Sequence, residues 1–521
     1  MRLVTAAGVL ALILAGIGIT PGWADEPRAS IREGTRLLKE GDGLADRGQY
    51  TEAVIRYKRA FEQILPSLRR NPFLHAVKRD VTKRENLKAM LIKDIDEDMT
   101  PQEFRANEMA MKAFGLIPRD YKLKEAMVQI YSEEIAAFYD PKTKTMHLIE
   151  EPRKDDSAKK KPGFFERLFG KADAFDKDEN KTVIAHELTH ALADQHYDLD
   201  ALHKLVKKDD DRAMALSSLI EGEATLAMLG ASMEDWDGDE TEKLPAANLD
   251  LAFRMTASLM PLASGGKSIL SAPPIISESM VFPYFKGAVF CARLTNEGGW
   301  KSIDTAYHTL PQSTEQILHP EKFLTKPDHP MTIELSALKA GKDWKELGQN
   351  VLGEMQIAVM LKKHNGASAA AGWDGDRYAV FEGPKDGLGL VWLTTWDSED
   401  DAREFTTSYA RYQSARFPDL PRPSSDVRDT LWRGVGKPLY VIQRRGLDVA
   451  VIEGFPPETT VTLLEAAFRS KKTELKPVPT GTRPAPTEKT GAEAAREKDR
   501  PTETHRSLRA RRAQRATAPA R

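Results

Sequence analysis

The 521-residue sequence contains a single cysteine, Cys291, and therefore forms no internal disulfide bond. A metal site built from several cysteines is excluded for the same reason. Stability must come from burial of apolar side chains, which make up 41% of the residues. Cys291 lies in the apolar stretch 289–292, which predicts a packing residue rather than a catalytic thiol.

An excess of charge of either sign is also missing, because 76 basic and 78 acidic residues leave a formal net charge of −2. The composition therefore gives no indication that nucleic acid or an anionic membrane surface is the main partner. The chain is too long for one compact core, and its length predicts two to four domains.

Long apolar runs do not recur after residue 19. Arg2 precedes an apolar run over residues 3–19, and Pro21 and small residues up to Ala24 follow it. This pattern predicts a secretory signal peptide over residues 1–24. An uncleaved membrane anchor is the alternative, although the run is short for a membrane span. We therefore expect an exported protein, periplasmic or extracellular, that is not an integral membrane protein once the signal is cleaved.

The first part of the mature chain has a helical pattern. Residues 31–66 predict two antiparallel helices, in which Gly48 marks the turn and Pro66 the end, as in one tetratricopeptide unit. One such unit cannot bury its own face, so a hairpin packed on the main domain is favoured over a peptide-binding array. Helices are expected to continue over residues 72–135.

The pattern then changes to strands. Residues 136–149 predict a β-hairpin whose turn lies at Asp140-Pro141-Lys142-Thr143. The Lys-rich residues 151–180 follow, and they predict a solvated insertion, with a lid over a cleft as the alternative. Helices are expected from about residue 182 to residue 340.

The C-terminal region predicts a small α+β accessory module over residues 370–472, followed by a disordered basic tail over residues 477–521. The order of its elements is strand, strand, helix, strand, strand, helix. The strands are expected at residues 377–382, 388–396, 439–443 and 449–453, and the helices at residues 399–415 and 459–469.

Residues 186–190 read His-Glu-Leu-Thr-His and carry the strongest chemical signal in the chain. On a helix, His186 and His190 lie about 40° apart around the axis and about 6 Å along it, so both imidazoles reach one zinc ion. Glu187 then lies beside the metal, where it acts as general base and afterwards as general acid. Two core histidines next to a surface glutamate are the alternative.

A catalytic zinc needs a third protein ligand and one open position. Glu221 and Glu223 are the candidates, and on a helix they lie about 200° apart, so both cannot face the metal. Small side chains surround Glu221 and permit close approach to the histidine helix, whereas larger apolar residues surround Glu223. We therefore favour Glu221, and Glu223 is the alternative.

These motifs together resemble the gluzincin metallopeptidases, especially the thermolysin-like catalytic domain of zinc aminopeptidases. In that family a helix reading Asn-Glu-Gly-Phe-Ala supplies the third zinc ligand, and residues 220–224 read Ile-Glu-Gly-Glu-Ala here. The family also has Pro-Tyr-Glu-Lys-Gly, and residues 283–287 read Pro-Tyr-Phe-Lys-Gly. The resemblance implies Zn²⁺ as cofactor, Glu221 as ligand and Tyr284 as donor to the oxyanion. Core packing is the alternative for Tyr284.

The resemblance covers roughly residues 130–320 and has two departures. The spacing between His190 and Glu221 is longer than is usual in the family. The Gly-x-Met-Glu-Asn strand that grips a free amino terminus is not found. Aminopeptidase activity is therefore not implied, and endopeptidase action remains open.

Other polar residues near these motifs have weaker signals. Asp194 lies one turn beyond His190, where it either orients a ligand or caps a helix. His319 is either an oxyanion donor or, as we favour, a structural histidine at a helix end. His147 is expected to be structural. Glu133 and its neighbour Glu134 are expected at a solvated helix end, with substrate contact as the alternative.

The sequence thus predicts an α+β, mostly helical protein with a helical region over residues 25–125 and a zincin-like metallopeptidase domain over residues 126–345. The expected activity is zinc-dependent hydrolysis of a peptide or protein substrate, which could pair with the edge of the 136–149 hairpin. A non-catalytic zinc-containing binding or assembly protein of the export compartment is the alternative.

Overall fold

The computed structural model describes residues 25–135, 137–150, 177–231, 243–263, 268–418, 430–433 and 439–476. The predicted signal peptide, the C-terminal tail and residues 151–176 of the predicted insertion lie outside them. The fold is α+β, as predicted, and the described elements belong to one compact unit, Met1–Thr480. No helix in the described stretches combines the length and apolar character needed to span a membrane.

The helices lie mainly in the first two thirds of the chain. They are α1 (Asp25–Asp46), α2 (Tyr50–Arg69), α3 (Arg84–Asp98), α4 (Pro101–Phe114), α5 (Leu123–Glu134), α6 (Lys177–Tyr197), α7 (Leu199–Val206), α8 (Asp210–Ala231), α9 (Ala246–Ala263), α10 (Ser268–Ser271), α11 (Pro274–Gly298), α12 (Trp300–His308), α13 (Thr314–Leu318), α14 (Glu321–Leu324), α15 (Gly353–Met360), α16 (Gly366–Ala370), α17 (Glu399–Arg416) and α18 (Pro457–Phe468).

The strands form three separate sheets. They are β1 (Lys78–Lys83), β2 (Ala137–Asp140), β3 (Thr145–Glu150), β4 (Met331–Glu334), β5 (Lys345–Asn350), β6 (Trp373–Gly383), β7 (Gly387–Trp396), β8 (Thr430–Arg433), β9 (Leu439–Arg445), β10 (Asp448–Phe455) and β11 (Lys471–Glu474).

Helices α1 and α2 form the predicted hairpin. Gly48 adopts a φ of 73° at the turn, a left-handed conformation that glycine takes without steric cost. The prediction that Pro66 ends the second helix is wrong, because α2 continues to Arg69. Pro66 removes one backbone hydrogen bond, and burial of Leu65 and Leu68 in the core offsets that loss.

The predicted hairpin is present as β2 and β3, but the expectation of unbroken helix over residues 72–135 is wrong. Strand β1 lies within that range and pairs in parallel with β3, which gives the sheet order β1-β3-β2. The signal for this strand is weak because its six residues are mostly charged and its Val81 is exposed. Buried Thr82 fixes it by a hydrogen bond to Nδ1 of His147, 3.2 Å away.

The C-terminal module contains all the predicted strands and helices, with two additional edge strands. Its sheet has the order β5-β6-β7-β10-β9-β8, with antiparallel pairing throughout. Helices α4, α15 and α17 pack on one face, and α18 packs on the other. The expected helical region up to residue 340 ends earlier, because β4 pairs with β11 beside the module.

The main core lies among α2, α6, α8, α11 and α12. Helices α8 and α11 cross at Gly222 and Gly287, where a methyl group on either glycine would overlap the backbone of the other helix. Only glycine therefore permits this separation. The crossing fixes the positions of Glu221 and Tyr284, one and three residues before the two glycines.

We expect Gly222→Ala to weaken the fold, because the added methyl must push α8 and α11 apart. Overpacking of this kind costs about 1–3 kcal/mol of unfolding free energy, or more where backbone must move. Gly43→Ala is the matched control, since the added carbon meets only the end of the Arg47 side chain, at 3.5 Å. The control should be neutral or stabilising by up to about 1 kcal/mol in urea unfolding. Equal stability of the two variants would contradict the close crossing.

Candidate metal centre

Helix α6 carries the His-Glu-Leu-Thr-His motif with one side in the core. Ile184, Leu188 and Ala191 are buried on the apolar side, as the sequence predicts. The two histidines and Glu187 are also nearly buried, each less than a tenth exposed. The polar face of the motif is therefore turned towards neighbouring elements rather than towards open solvent.

Three potential ligands meet on that face. The Nε2 atoms of His186 and His190 lie 3.0 Å apart. One carboxylate oxygen of Glu221, from α8, lies 3.1 Å from Nε2 of His186 and 3.3 Å from Nε2 of His190. Within the described residues these three side chains form a group able to hold a metal ion.

The spacing of the three atoms fits a tetrahedral zinc ion. Ligands at about 2.0–2.1 Å from a tetrahedral metal lie roughly 3.4 Å from one another, slightly more than the distances between these atoms. Two imidazole nitrogens 3.0 Å apart repel through their lone pairs unless a proton or a cation lies between them. Nδ1 of His186 is buried without a hydrogen-bond partner in the described structure. Ring contacts with His190 and Tyr284 orient this imidazole instead.

The charges of the group are strongly coupled. Burial alone would lower the pKa of His190, but the charge and hydrogen bond of Glu221, together with the charges of Glu187 and Glu223, outweigh burial and raise the pKa to about 9. Burial alone would raise the pKa of Glu221, but the charge of His190 and hydrogen bonds from both histidines hold the pKa well below its usual value. Without a metal, a proton therefore supplies the positive charge that Glu221 requires.

Glu223 faces away from the histidines. Its carboxylate accepts hydrogen bonds from Nε of Arg69, at 2.5 Å, and from the hydroxyl of Tyr307, at 2.5 Å. Arg69 also bonds Asp304 at 2.9 Å, which ties α2 to α8 and α12 in the core. The structure therefore brings the favoured candidate, Glu221, to the histidines and uses Glu223 in a buried ion pair.

Glu187 lies against the β-hairpin. Its Oε2 atom accepts a hydrogen bond of 2.7 Å from the backbone N–H of Tyr139 in β2. The sequence motif gave no indication of this donor, because Tyr139 is 48 positions away and was predicted only as a strand residue. The edge of β2 therefore lies directly beside the motif helix.

Two phenols interact electrostatically with Glu221. The ring of Tyr284 stacks on His186 with centroids 5.9 Å apart. Burial, then the negative charges of Glu221 and Glu187, and to a smaller extent a hydrogen bond to Glu221, raise the pKa of Tyr284 well above its usual value. Tyr131, at the end of α5, was not predicted as a site residue. Burial, together with the charge of Glu221, also raises the pKa of Tyr131. Both hydroxyl groups therefore remain protonated at neutral pH.

The remaining predicted polar residues lie outside the ligand group. Asp194 accepts hydrogen bonds from Tyr139 and from the backbone N–H of Leu199, the first residue of α7, rather than from a histidine. The N-cap residue of α7 is Asp198. His147 stacks on Phe138 within the hairpin sheet. His319 ends α13 and bonds Glu354 at 2.9 Å. Glu133 accepts a hydrogen bond from Gln129, and the side chain of Glu134 is not described.

A second acidic group also has spacing compatible with a metal, but it already contains a cation. Glu315, Asp328 and Asp397 surround the ammonium of Lys322, which lies 2.7, 2.9 and 2.6 Å from their carboxylates. The histidine group is therefore the better candidate metal centre in the described part of the chain.

Residues 342–465 are similar to a family described as a domain of unknown function (DUF8575). This segment starts at the approach to β5 and includes the six-stranded sheet, so it begins earlier than the predicted module. It contains none of the residues of the candidate metal centre. No curated protein matches the chain, and no solved structure matches it.

Glu221→Gln and Glu223→Gln should affect different properties, zinc affinity in the first variant and stability in the second. The first replaces an anionic ligand by a neutral amide, and we expect zinc affinity to fall by more than about 100-fold with little loss of stability. The second leaves Arg69 buried without its main counter-charge and should cost about 3–5 kcal/mol of unfolding free energy. Competition with a chromophoric chelator and urea unfolding measure the two quantities. Similar zinc affinities of the two variants would contradict the assignment of Glu221.

Zinc affinity should increase with pH. The raised pKa means that His190 is protonated in the metal-free protein below about pH 9. Binding of zinc displaces that proton, so the apparent Kd should fall about tenfold per pH unit between about pH 6 and 8. Calorimetry in buffers of different ionisation enthalpy would report the released proton. A Kd independent of pH would show that the histidine carries no such proton.

Proposed function

We propose that this chain is a zinc-dependent hydrolase that cleaves peptide bonds, with a zincin-like arrangement of residues 126–345. The observation that carries the proposal is the convergence of His186, His190 and Glu221 on one point, with the Glu187 carboxylate fixed beside it. A structural metal site has no use for a base in that position. The resemblance of the three motifs to gluzincin peptidases supports peptide hydrolysis over other hydrolytic reactions.

His186, His190 and Glu221 would hold the zinc ion. Two imidazoles and one carboxylate are a ligand set typical of catalytic zinc, and three protein ligands leave a position open. When bound, zinc supplies Lewis-acid chemistry, in which a water molecule is acidified and a carbonyl group is polarised. The near-complete burial of both histidines strengthens electrostatic interactions there, since little water screens them.

Glu187 is the general base in this proposal. It accepts the proton of the attacking water and then donates it to the nitrogen of the leaving amine. Only its Oε2 atom is engaged by Tyr139, and the described residues provide no hydrogen bond to Oε1. One oxygen is therefore held by the hairpin while the other remains available for proton transfer.

Tyr284 is the proposed donor to the tetrahedral oxyanion. Burial keeps its hydroxyl protonated, and the stack on His186 places the phenol next to the ligand group. Its hydroxyl, now bonded to Glu221, would donate to negative charge as that charge develops on the substrate oxygen.

The proposed substrate is a peptide or protein met in the export compartment, which follows from the signal peptide predicted for residues 1–24. Since the motif that grips a free amino terminus is not found, we do not propose aminopeptidase action. A tetratricopeptide-like binding array is disfavoured, because Tyr57, Phe61 and Leu65 of α2 are buried in the main core.

Glu187→Gln should retain zinc and lose hydrolysis. The amide keeps the size of the side chain and does not accept the proton, so we expect kcat to fall by about 10²–10⁴-fold on a quenched fluorescent peptide library. Glu62→Gln on α2 is a control for the same chemical change away from the site. An unchanged rate in the zinc-loaded Glu187→Gln protein would support the alternative, a non-catalytic zinc-containing binding or assembly protein.

A further inference from the structure

Tyr139 bonds the motif helix at two points. Its backbone N–H donates to Oε2 of Glu187 at 2.7 Å, and its phenolic hydroxyl donates to Oδ2 of Asp194 at 2.7 Å. The residue is less than a tenth exposed, so both bonds are shielded from water. Hydrogen bonds to carboxylates are short and strong, and burial strengthens them further.

The two carboxylates lie on one face of α6. Seven residues separate them, which is almost two full turns, so their side chains differ by only about 20° around the axis and lie roughly 10.5 Å apart along it. A tyrosine lying along this face reaches both carboxylates, with its backbone at one end and its hydroxyl at the other, because the two acidic side chains extend towards it. Both bonds from this one residue therefore help to fix the register between the helix and the strand.

Asp194 is a fixed anchor for the phenol. It is fully buried, and its Oδ1 atom accepts hydrogen bonds from Nζ of Lys144 at 2.9 Å and from the backbone N–H of Leu199 at 3.0 Å. Lys144 lies in the turn between β2 and β3, and Leu199 begins α7. Asp194 thus connects the motif helix, the hairpin and the following helix.

We propose that Tyr139 is a positioning residue for Glu187. The phenol, anchored on Asp194, sets the position of the β2 backbone, and the backbone N–H in turn sets the orientation of the Glu187 carboxylate. This inference rests on the proposed role of Glu187 as general base. Tyr139 itself does not contact the substrate or the ligand group in this role.

A glutamate side chain has several rotatable bonds, and proton transfer requires one narrow arrangement of its carboxylate. A donor attached to a side chain would share that freedom. A backbone N–H in a paired strand does not, because β2 is paired with β3 on its other edge. The hairpin therefore supplies a rigid donor, provided that its distance from α6 is fixed.

Tyr139→Phe tests this role by removing the hydroxyl while leaving the backbone N–H in place. We expect kcat of the zinc-loaded protein to fall about 10- to 100-fold, with KM and zinc affinity within about twofold of the parent. Tyr197→Phe is the matched control. It removes a phenol–carboxylate hydrogen bond of 2.6 Å, to Asp304, from the same helix but on a different network. The control should leave kcat unchanged.

Hydrogen exchange of the metal-free full-length protein provides a measurement that does not depend on activity. Mass spectrometry of peptides covering β2 should show slow exchange at the amide of Tyr139, which bonds Glu187, in addition to the amides of β2 that pair with β3. We expect Glu187→Ala to remove this protection and Tyr139→Phe to accelerate exchange at the same position about tenfold. Tyr197→Phe should exchange like the parent protein.

The outcomes separate this inference from the proposed function. An unchanged kcat in Tyr139→Phe, or protection of the β2 amide that survives Glu187→Ala, would overturn the positioning role. Parent protein that shows no Glu187-dependent hydrolysis would overturn the proposed function, while exchange would still decide whether Tyr139 holds the carboxylate. Loss of stability alone would lower the unfolding midpoint without changing kcat of the folded, zinc-loaded protein.

Discussion

The glycine-on-glycine crossing of α8 and α11 is the constraint on which the candidate site depends. Gly222 and Gly287 allow the two backbones to touch, and no larger residue fits at either position. Glu221 and Tyr284 reach the histidines of α6 because of this contact. Both glycines belong to the motifs that carry the chemistry, so their presence has a steric reason that is independent of any reaction.

Helix α8 also shows how two carboxylates on one helix, Glu223 buried and Glu221 partly exposed, are stabilised differently. Glu223 has a permanent partner in Arg69, with a phenol completing its hydrogen bonds. Glu221 depends on a shared proton or a metal for the same purpose. The charge of Glu223 is therefore balanced within the core by Arg69. The charge of Glu221 is balanced either by a proton on the histidines or by a metal ion bound between them.

Much of the fold was predictable from periodicity and local signals. Helix α4 begins with a capping box between Thr100 and Glu103, a local signal of a helix start. The strands and helices predicted for the C-terminal module lie where the sequence places them. Strand β1 was not predictable, because its charged residues form a strand only through pairing with β3 and through one buried hydrogen bond. Pro66 was misread for a related reason, since tertiary burial extends α2 beyond a residue that locally disfavours helix.

The candidate site was predictable where chemistry is encoded by short spacing, and not where it depends on distant backbone. Glu221 could be chosen over Glu223 from the size of the neighbouring side chains. The hydrogen bond from the backbone N–H of Tyr139 to Glu187 could not be predicted. Every residue except proline has a backbone N–H, and only the fold determines which of them reaches the carboxylate. The interaction of Tyr131 with Glu221 could not be predicted either, because Tyr131 lies near the end of α5 and belongs to no recognised motif.

The packing of α4 on the C-terminal sheet has a consequence for synthesis. Ala106, Ala110 and Phe114 pack against a module whose first strand begins at Lys345. At about 5–20 residues per second, this apolar face precedes its partner strand by roughly 10 to 50 seconds. During that interval the apolar face of α4 lacks the sheet on which it packs in the folded protein. The contacts of α4 with the sheet therefore form only after the module has been synthesised, although the segment similar to a known family starts only at residue 342.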